Sequence, residues 1–397
     1  MEEQNMMFAN IVAVTSVFGL GLTMFLLGSI KLKLTETLGI NDAQMGKLFS
    51  VYNFSNLVFV LVAGVVTDNF GYQTCAIVGF AAGVASMLFM GQAKTYGIAV
   101  VACLFLGVGS MFMNTAGNVL LGNPAIVFPD PGQSGNLGNV FFGVGAFVTP
   151  MLSAILFKQM SFGKALTVLG LLLVAPLVIA CMAAFPESGG NFSASAAGGL
   201  ITNPTIVLCA LALMCYIALE VSMAGWITTY MTSVGASATQ ANTNLSFFSI
   251  AIMLGRLVTA LGIGKLIVLS GSNGPWFILG LAAVSAVVLF AMKGINSKGS
   301  ATVCVVLLGL LFAPIFPTVA GLMFARVPGE VAGTGFSIIF GVGLLGAIFV
   351  PAWMGSISSG EGKTIKDSMI VAASVAVILV VLAGVMGVML PAPLPVA

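Results

Sequence analysis

Two charged side chains fall clearly inside long apolar runs of the chain, Glu220 and Arg256. A charge at the middle of a bilayer costs at least ~2.5 kcal/mol, so such residues mark function until shown otherwise. Glu220 is the sole carboxylate placed so deep. A carboxylate withdrawn from water is a natural group to exchange a proton or meet a cation, which makes Glu220 the candidate for coupling. Trp226 and Tyr230 follow it within about three helical turns, and aromatic faces beside a carboxylate suit a hydroxylated solute. Arg256 stands toward the end of its run, where a guanidinium can serve backbone carbonyls, and is read as a structural or gating residue.

Amides form the second constellation. Asn114 and Asn118 are four apart and Asn136 and Asn139 three apart, so each pair shares one helix face. Asn53 and Asn56 do the same beside Tyr52. Unbonded amides are costly in hydrocarbon, so paired amides point into a protein interior or a wet cavity. There they line a solute path or bind helix to helix. Asn114, Asn118 and Asn139 are the candidate solute-binding amides, with Glu220, Trp226 and Tyr230.

Other chemistry is absent from the inventory. The chain has no His, which removes the commonest general base and metal ligand. Its six cysteines lie in or at the ends of apolar runs with no metal-ligand spacing. With a single mid-span acid, the sequence does not read as an enzyme, and no cofactor or metal is expected beyond a coupling proton or sodium ion. Charge is nearly balanced, 13 Lys+Arg against 11 Asp+Glu, which argues against a nucleic-acid partner.

The elements that carry these residues follow from hydropathy. Of 397 residues 59% are hydrophobic and 6% charged, whereas a soluble domain carries about 25% charged residues. Lipid must be the solvent. Twelve runs long enough to span begin near Phe8, Gly46, Cys75, Gly97, Ser134, Lys164, Asn203, Gln240, Pro275, Ser300, Val331 and Asp367. The Gly-, Ser- and Ala-rich stretch near the middle divides the chain into a six-helix half over 1–186, a linker over 187–203 and a second six-helix half over 204–397. The first apolar run is long enough to span rather than be cleaved as a signal. The tail Pro391–Ala397 is expected to lack structure. Forty-nine glycines, among them Gly79 and Gly83 four apart, suit close helix crossings in lipid.

Several motifs resemble a known family. Between the second and third spans, Gly64-Val-Val-Thr-Asp68-Asn-Phe-Gly71 is similar to the Gly-x-x-x-Asp-x-x-Gly loop signature of the major facilitator superfamily. Glu220-Val-Ser-Met-Ala-Gly-Trp226-Ile-Thr-Thr-Tyr230, then Gly255-Arg256, then Phe316-Pro317-Thr318, resemble its fucose–glucose permease branch. Asn114-Thr-Ala-Gly-Asn118 and Asn136-Leu-Gly-Asn139 sit where that branch has a Thr-Ala-Asn stretch and an Asn-containing fifth helix. The resemblance implies an all-α polytopic fold with a mid-membrane solute site between two halves, alternating access, and coupling to protons or sodium. It implies gating or structural roles for Gly64, Asp68 and Gly71. Physically, Asp68 can meet a helix N-terminus and Gly71 permits a tight turn. Three departures stand out. Tyr72, Gln73 and Thr74 follow the loop where the family has a basic residue, the first span carries no acid, and Asn114 stands where an acid of the fourth span is expected.

The reading is therefore a secondary active transporter that moves a sugar or similar hydroxylated solute as a monomer in a cell's inner or plasma membrane. The alternatives are an exporter or a lipid or drug transporter on the same fold, or a transport-inactive membrane sensor. Orientation is contested. Lys31, Lys33, Lys47, Lys94, Lys158, Lys164, Lys293, Lys298, Lys363 and Lys366 flank odd-numbered connections, against Lys265 and Arg326, with Arg256 nearby, on the even side. The positive-inside rule would put the termini outside. The resembled architecture puts them inside, and that placement is adopted.

Overall fold

The computed structural model describes residues 2–186 and 198–395. The helices are α1 (Glu2–Leu38), α2 (Asp42–Gly91), α3 (Tyr96–Leu121), α4 (Pro131–Gln159), α5 (Phe162–Met182), α6 (Pro204–Ser233), α7 (Ala238–Leu261), α8 (Asn273–Met292), α9 (Lys298–Phe312), α10 (Ile315–Phe324), α11 (Ala332–Ser358) and α12 (Ile365–Met389). There is no strand among the described residues. Of the sequence-derived linker over 187–203, residues 187–197 lie outside the described residues.

Among the described residues, eleven helical stretches are long and apolar enough to cross a membrane, α9 and α10 together making one of them. The 50 residues of α2 would be about 75 Å long if straight, over twice the roughly 30 Å hydrocarbon core. It breaks instead at Gly71, with φ 82° and ψ 169°, a backbone that glycine alone adopts readily. Counted as two, α2 brings the spans to the twelve expected. Helix starts are written locally. Asn41 with Gln44 and Ser237 with Gln240 form capping boxes at α2 and α7, and Thr364 with Asp367 does so at α12. Asn203 and Thr95 cap α6 and α3.

The chain forms two compact units. The first comprises Met1–Val127, Phe141–Ala197 and Pro328–Ser337; the second comprises Phe128–Val140, Gly198–Val327 and Ile338–Ala397. Each unit thus takes one short segment from the other half of the sequence: the first turns of α11 go to the first unit, and the first turns of α4 go to the second.

In the first unit α2 packs along α3 and α5, and α1 against α3. The α2–α3 crossing is a backbone contact at small residues. A Cβ on Gly79 would stand 2.7 Å from the Met113 nitrogen, and one on Gly109 would stand 2.7 Å from the Gly83 nitrogen. In lipid, where apolar side chains gain nothing by leaving the solvent, such close approach supplies the helix–helix attraction. In the second unit α12 packs against α8 and α6, and α9 against α7. Large apolar side chains such as Phe54, Val287, Val303 and Phe349 are left exposed, as a lipid solvent permits.

The tail has no regular element over residues 391–395, yet two hydrogen bonds tie it to the residues after α10. The Leu394 N–H donates to the Ala325 carbonyl at 2.8 Å, and Arg326 Nε donates to the Pro391 carbonyl at 2.8 Å. Proline removes donors from this segment but leaves its carbonyls free to accept.

Candidate functional site

In the second unit, Arg256 on α7 is the hub. Its side chain is 3% exposed, and Nη2 lies 3.5 Å from Oε1 of Glu220 on α6, whose side chain is 25% exposed. The same Nη2 donates to the Tyr216 hydroxyl at 3.1 Å. Tyr216 stands one turn before Glu220, so the two present their oxygens on one face of α6. Nη1 donates to the Asn139 carbonyl at 3.3 Å and Nε to the Ala313 carbonyl at 3.1 Å.

The Ala313 carbonyl is available for a reason written in the sequence. Its intrahelical partner would be the N–H of residue 317, and Pro317 has none. The helix accordingly breaks between α9 and α10, and Arg256 satisfies the oxygen that the break exposes. The guanidinium is therefore held by the neutral acceptors of Ala313, Asn139 and Tyr216 and turned toward the Glu220 carboxylate. Tyr216 is further packed against Phe316 at 6.2 Å between ring centroids, and Phe316 against Phe340 at 6.1 Å.

The two aromatic residues after Glu220 are also tied down. Trp226 Nε1 donates to the Pro351 carbonyl at 3.3 Å, with the ring against Gly355. Tyr230 is fully buried, and its hydroxyl donates at 2.8 Å to the Met292 carbonyl at the end of α8, which also takes the Ile295 N–H at 3.4 Å. Its polar end is thus spent on backbone. Trp226 remains partly exposed.

The amides divide between units. Asn139, in the second, donates from Nδ2 to the Gly135 carbonyl at 2.9 Å while its own carbonyl receives Arg256. Asn114 and Asn118, in the first, face each other as their spacing requires: Asn118 Nδ2 donates to Asn114 Oδ1 and to its carbonyl, both at 2.9 Å. Asn114 is fully buried and its Nδ2 has no hydrogen-bond partner; Ser16 Oγ and Thr115 Oγ1 in the same unit are orphaned likewise. A buried unsatisfied group costs ~1–3 kcal/mol and calls for a ligand, a water or a mechanistic reason.

The loop residues form a separate device in the first unit. Asp68, 3% exposed, accepts from the Gly333 N–H at 2.8 Å on Oδ1 and from the Thr334 N–H at 2.7 Å on Oδ2. These are free donors of the first turn of α11, and the positive end of the helix dipole faces the carboxylate. Gly64 and Gly333 make the approach possible: a Cβ on Gly333 would stand 2.7 Å from Asp68 Oδ1 and 2.8 Å from the Gly64 carbonyl. Gly71 supplies the turn just beyond.

Sequence reasoning missed a comparable anchor in the second unit. Asp130, before α4, accepts from the Leu269 N–H at 2.6 Å, the Ser270 N–H at 3.1 Å and the Gly132 N–H at 3.0 Å. Gln133 Nε2 adds a bond to the Ala260 carbonyl at 2.7 Å. The signal was present, since an acid before Pro-Gly is a helix-start pattern. Tyr216 was missed as well, although its four-residue spacing from Glu220 announced a shared face.

Twelve apolar spans among the described residues, with α2 counted as two, a charge pair deep within one unit and carboxylate-capped helix starts in both define a polytopic helical membrane protein of the transporter class. The chain belongs to the Major Facilitator Superfamily, whose profile matches residues 11–351. Among curated proteins it resembles "Protein TsgA homolog" of Erwinia tasmaniensis, 24% identical over 277 residues, covering 62% of this chain and 68% of that protein. The fold is shared with the transporter FucP in its outward conformation, with a TM-score of 0.79 at 15% identity over 96% of this chain and 99% of that one. It is also shared with the proton:xylose symporter XylE bound to 6-bromo-6-deoxy-D-glucose, with a TM-score of 0.74 at 11% identity over 99% and 97%.

Proposed function

We propose that this protein is a secondary active transporter that moves a small hydroxylated solute, such as a sugar, by alternating access, with Glu220 as the coupling carboxylate. The observation that carries the reading is the Glu220–Arg256 pair, 3.5 Å apart on α6 and α7. Breaking such a pair by losing one charge is costly, because the other charge stays buried. A proton or a sodium ion arriving at Glu220 competes with Arg256. Arg256 does not collapse when released, because Ala313, Asn139 and Tyr216 still hold it. The carboxylate can therefore trade partners over a fixed cation, which is what a coupling group must do. Trp226, between one and two turns on and partly exposed, offers an aromatic face to the solute. The names of the proton symporters that share the fold agree with this reading. We further propose that the protein works as a monomer in an inner or plasma membrane.

The test is uptake into proteoliposomes under an imposed pH or sodium gradient. Glu220→Gln is expected to lose accumulation against a gradient while retaining counterflow exchange. Accumulation by Glu220→Gln with the wild-type ion dependence would exclude Glu220 as the coupling group. A panel of sugars, amino acids and nucleosides in the same vesicles tests the solute class.

A further inference from the structure

Arg326 follows α10 and is 7% exposed. Its Nε donates to the Pro391 carbonyl at 2.8 Å, and Nη1 donates to the carbonyls of Ser270 at 2.8 Å and Leu322 at 3.1 Å. All three acceptors are neutral. Among the described residues, no carboxylate pairs with Arg326, and its Nη2 makes no hydrogen bond. Burial lowers the pKa of the guanidinium from its usual value, as expected of a cation short of counter-charge. A buried charge without an anion is rare enough to need an explanation.

Arg326 lines a cavity of about 510 Å³ within the second unit, inside the roughly 300–1,000 Å³ typical of small-ligand sites. Ser272 and Asn273, at the start of α8, line it too, and no side chain caps that helix. The Gly274 N–H is taken by the Gly271 carbonyl at 3.3 Å and Pro275 has none, so this helix start adds the Asn273 N–H and a positive dipole end to the guanidinium. The rest of the wall is apolar, with Val268, Met386 and Leu390. Their chain neighbours Val388 and Met389 are 78% and 61% exposed. Trp276, half exposed, packs on Gly387 in the first turns of α8, the place of an aromatic anchor at a membrane interface.

We propose that this cavity is a phosphate-binding site, with Arg326 Nη2 as its cationic contact, and that its natural occupant is the phosphodiester of an anionic phospholipid. The guanidinium matches phosphate oxygens. The exposed apolar surface of α12 offers a path for the acyl chains. Free phosphate shares the head-group chemistry and is the other source of the same anion.

The test uses the full chain, delipidated in neutral detergent and titrated separately with phosphatidylglycerol, phosphatidylcholine and inorganic phosphate. Native mass spectrometry counts bound lipid, and thermal melting reports occupancy. One saturable equivalent of phosphatidylglycerol is expected, favoured over phosphatidylcholine about fivefold, weakened in Arg326→Lys and lost in Arg326→Gln. Stabilisation and displacement by inorganic phosphate assign the site to the free anion; stabilisation by the lipid alone assigns it to the head group. Arg326→Gln also removes bonds to Pro391 and Ser270, so Ser272→Phe, which fills the cavity and leaves those bonds in place, must abolish binding as well. Phosphatidylglycerol and phosphatidylcholine binding equally, or binding that survives both Arg326→Gln and Ser272→Phe, overturns the assignment.

Discussion

Asp68 accepts the backbone N–H of Thr334, 266 positions away in the sequence, at 2.7 Å, and its second oxygen takes the N–H of Gly333. The contact joins the end of the second span to the first turn of α11 and buries a carboxylate with no basic partner among the described residues. The family's loop supplies a basic residue after the turn, whereas this chain has Tyr72, Gln73 and Thr74. Here backbone donors and a helix dipole stabilise the carboxylate. Charge-assisted bonds of this type contribute roughly 1.5–3 kcal/mol each.

Asp68→Asn keeps the shape but loses the charge, and its NH2 group can no longer accept. The clamp should weaken by roughly 2 kcal/mol, about thirtyfold in the balance between clamped and released states. Slower transport is expected, with equilibrium solute binding little changed. Initial uptake rates and binding isotherms on the same preparation check it. A wild-type uptake rate would mean the clamp does not set the cycle.

Gly333→Ala should reproduce that phenotype by another route. The added methyl meets both Asp68 Oδ1 and the Gly64 carbonyl at under 3 Å, so the helix start must back away. Because both substitutions break one contact, their effects should not add. A double mutant much slower than either single mutant would show that Gly333 acts elsewhere.

These residues also show what a sequence can and cannot disclose. The spans were legible because lipid imposes a length and a composition, and α2 was read as two because its apolar runs, starting near Gly46 and Cys75, are each long enough to span. Asn114 and Asn118 bond each other as a four-residue spacing on one helix demands. Contacts between helices distant in sequence were not legible. That Arg256 would serve carbonyls follows from its chemistry, but that the carbonyls would be those of Ala313 and Asn139 depends on which helices are neighbours. The bonds that Tyr230 and Trp226 make to Met292 and Pro351 have the same origin. The tail has no regular element over residues 391–395, as its Pro-rich composition suggests, but that Arg326 would take the Pro391 carbonyl was not legible.

Membrane orientation can be decided directly. Lys363 lies in the exposed connection between α11 and α12, and Glu330 in the exposed turn before α11. With the termini inside, a cysteine at Lys363→Cys should react with an impermeant thiol reagent in intact cells, and one at Glu330→Cys should react only after permeabilisation. The reverse pattern would mean that the lysine distribution, not the family architecture, reports the topology.

Pro317 offers a test of the hub in which stability and function should part. Proline has no N–H and leaves the carbonyl four residues before it without a helical donor. Pro317→Ala restores an N–H that can reach the Ala313 carbonyl, while Pro314 still marks the boundary between α9 and α10, so the melting temperature should rise modestly. The restored bond takes the acceptor now used by Arg256 Nε at 3.1 Å. With this neutral anchor gone, the guanidinium should follow Glu220 rather than stay fixed while the carboxylate changes partners. Accumulation against an ion gradient is therefore expected to fall several-fold, while counterflow exchange persists. Melting curves and gradient-driven uptake on one preparation separate the effects. A stabilised variant with wild-type accumulation would show that the anchor at Ala313 contributes nothing to coupling.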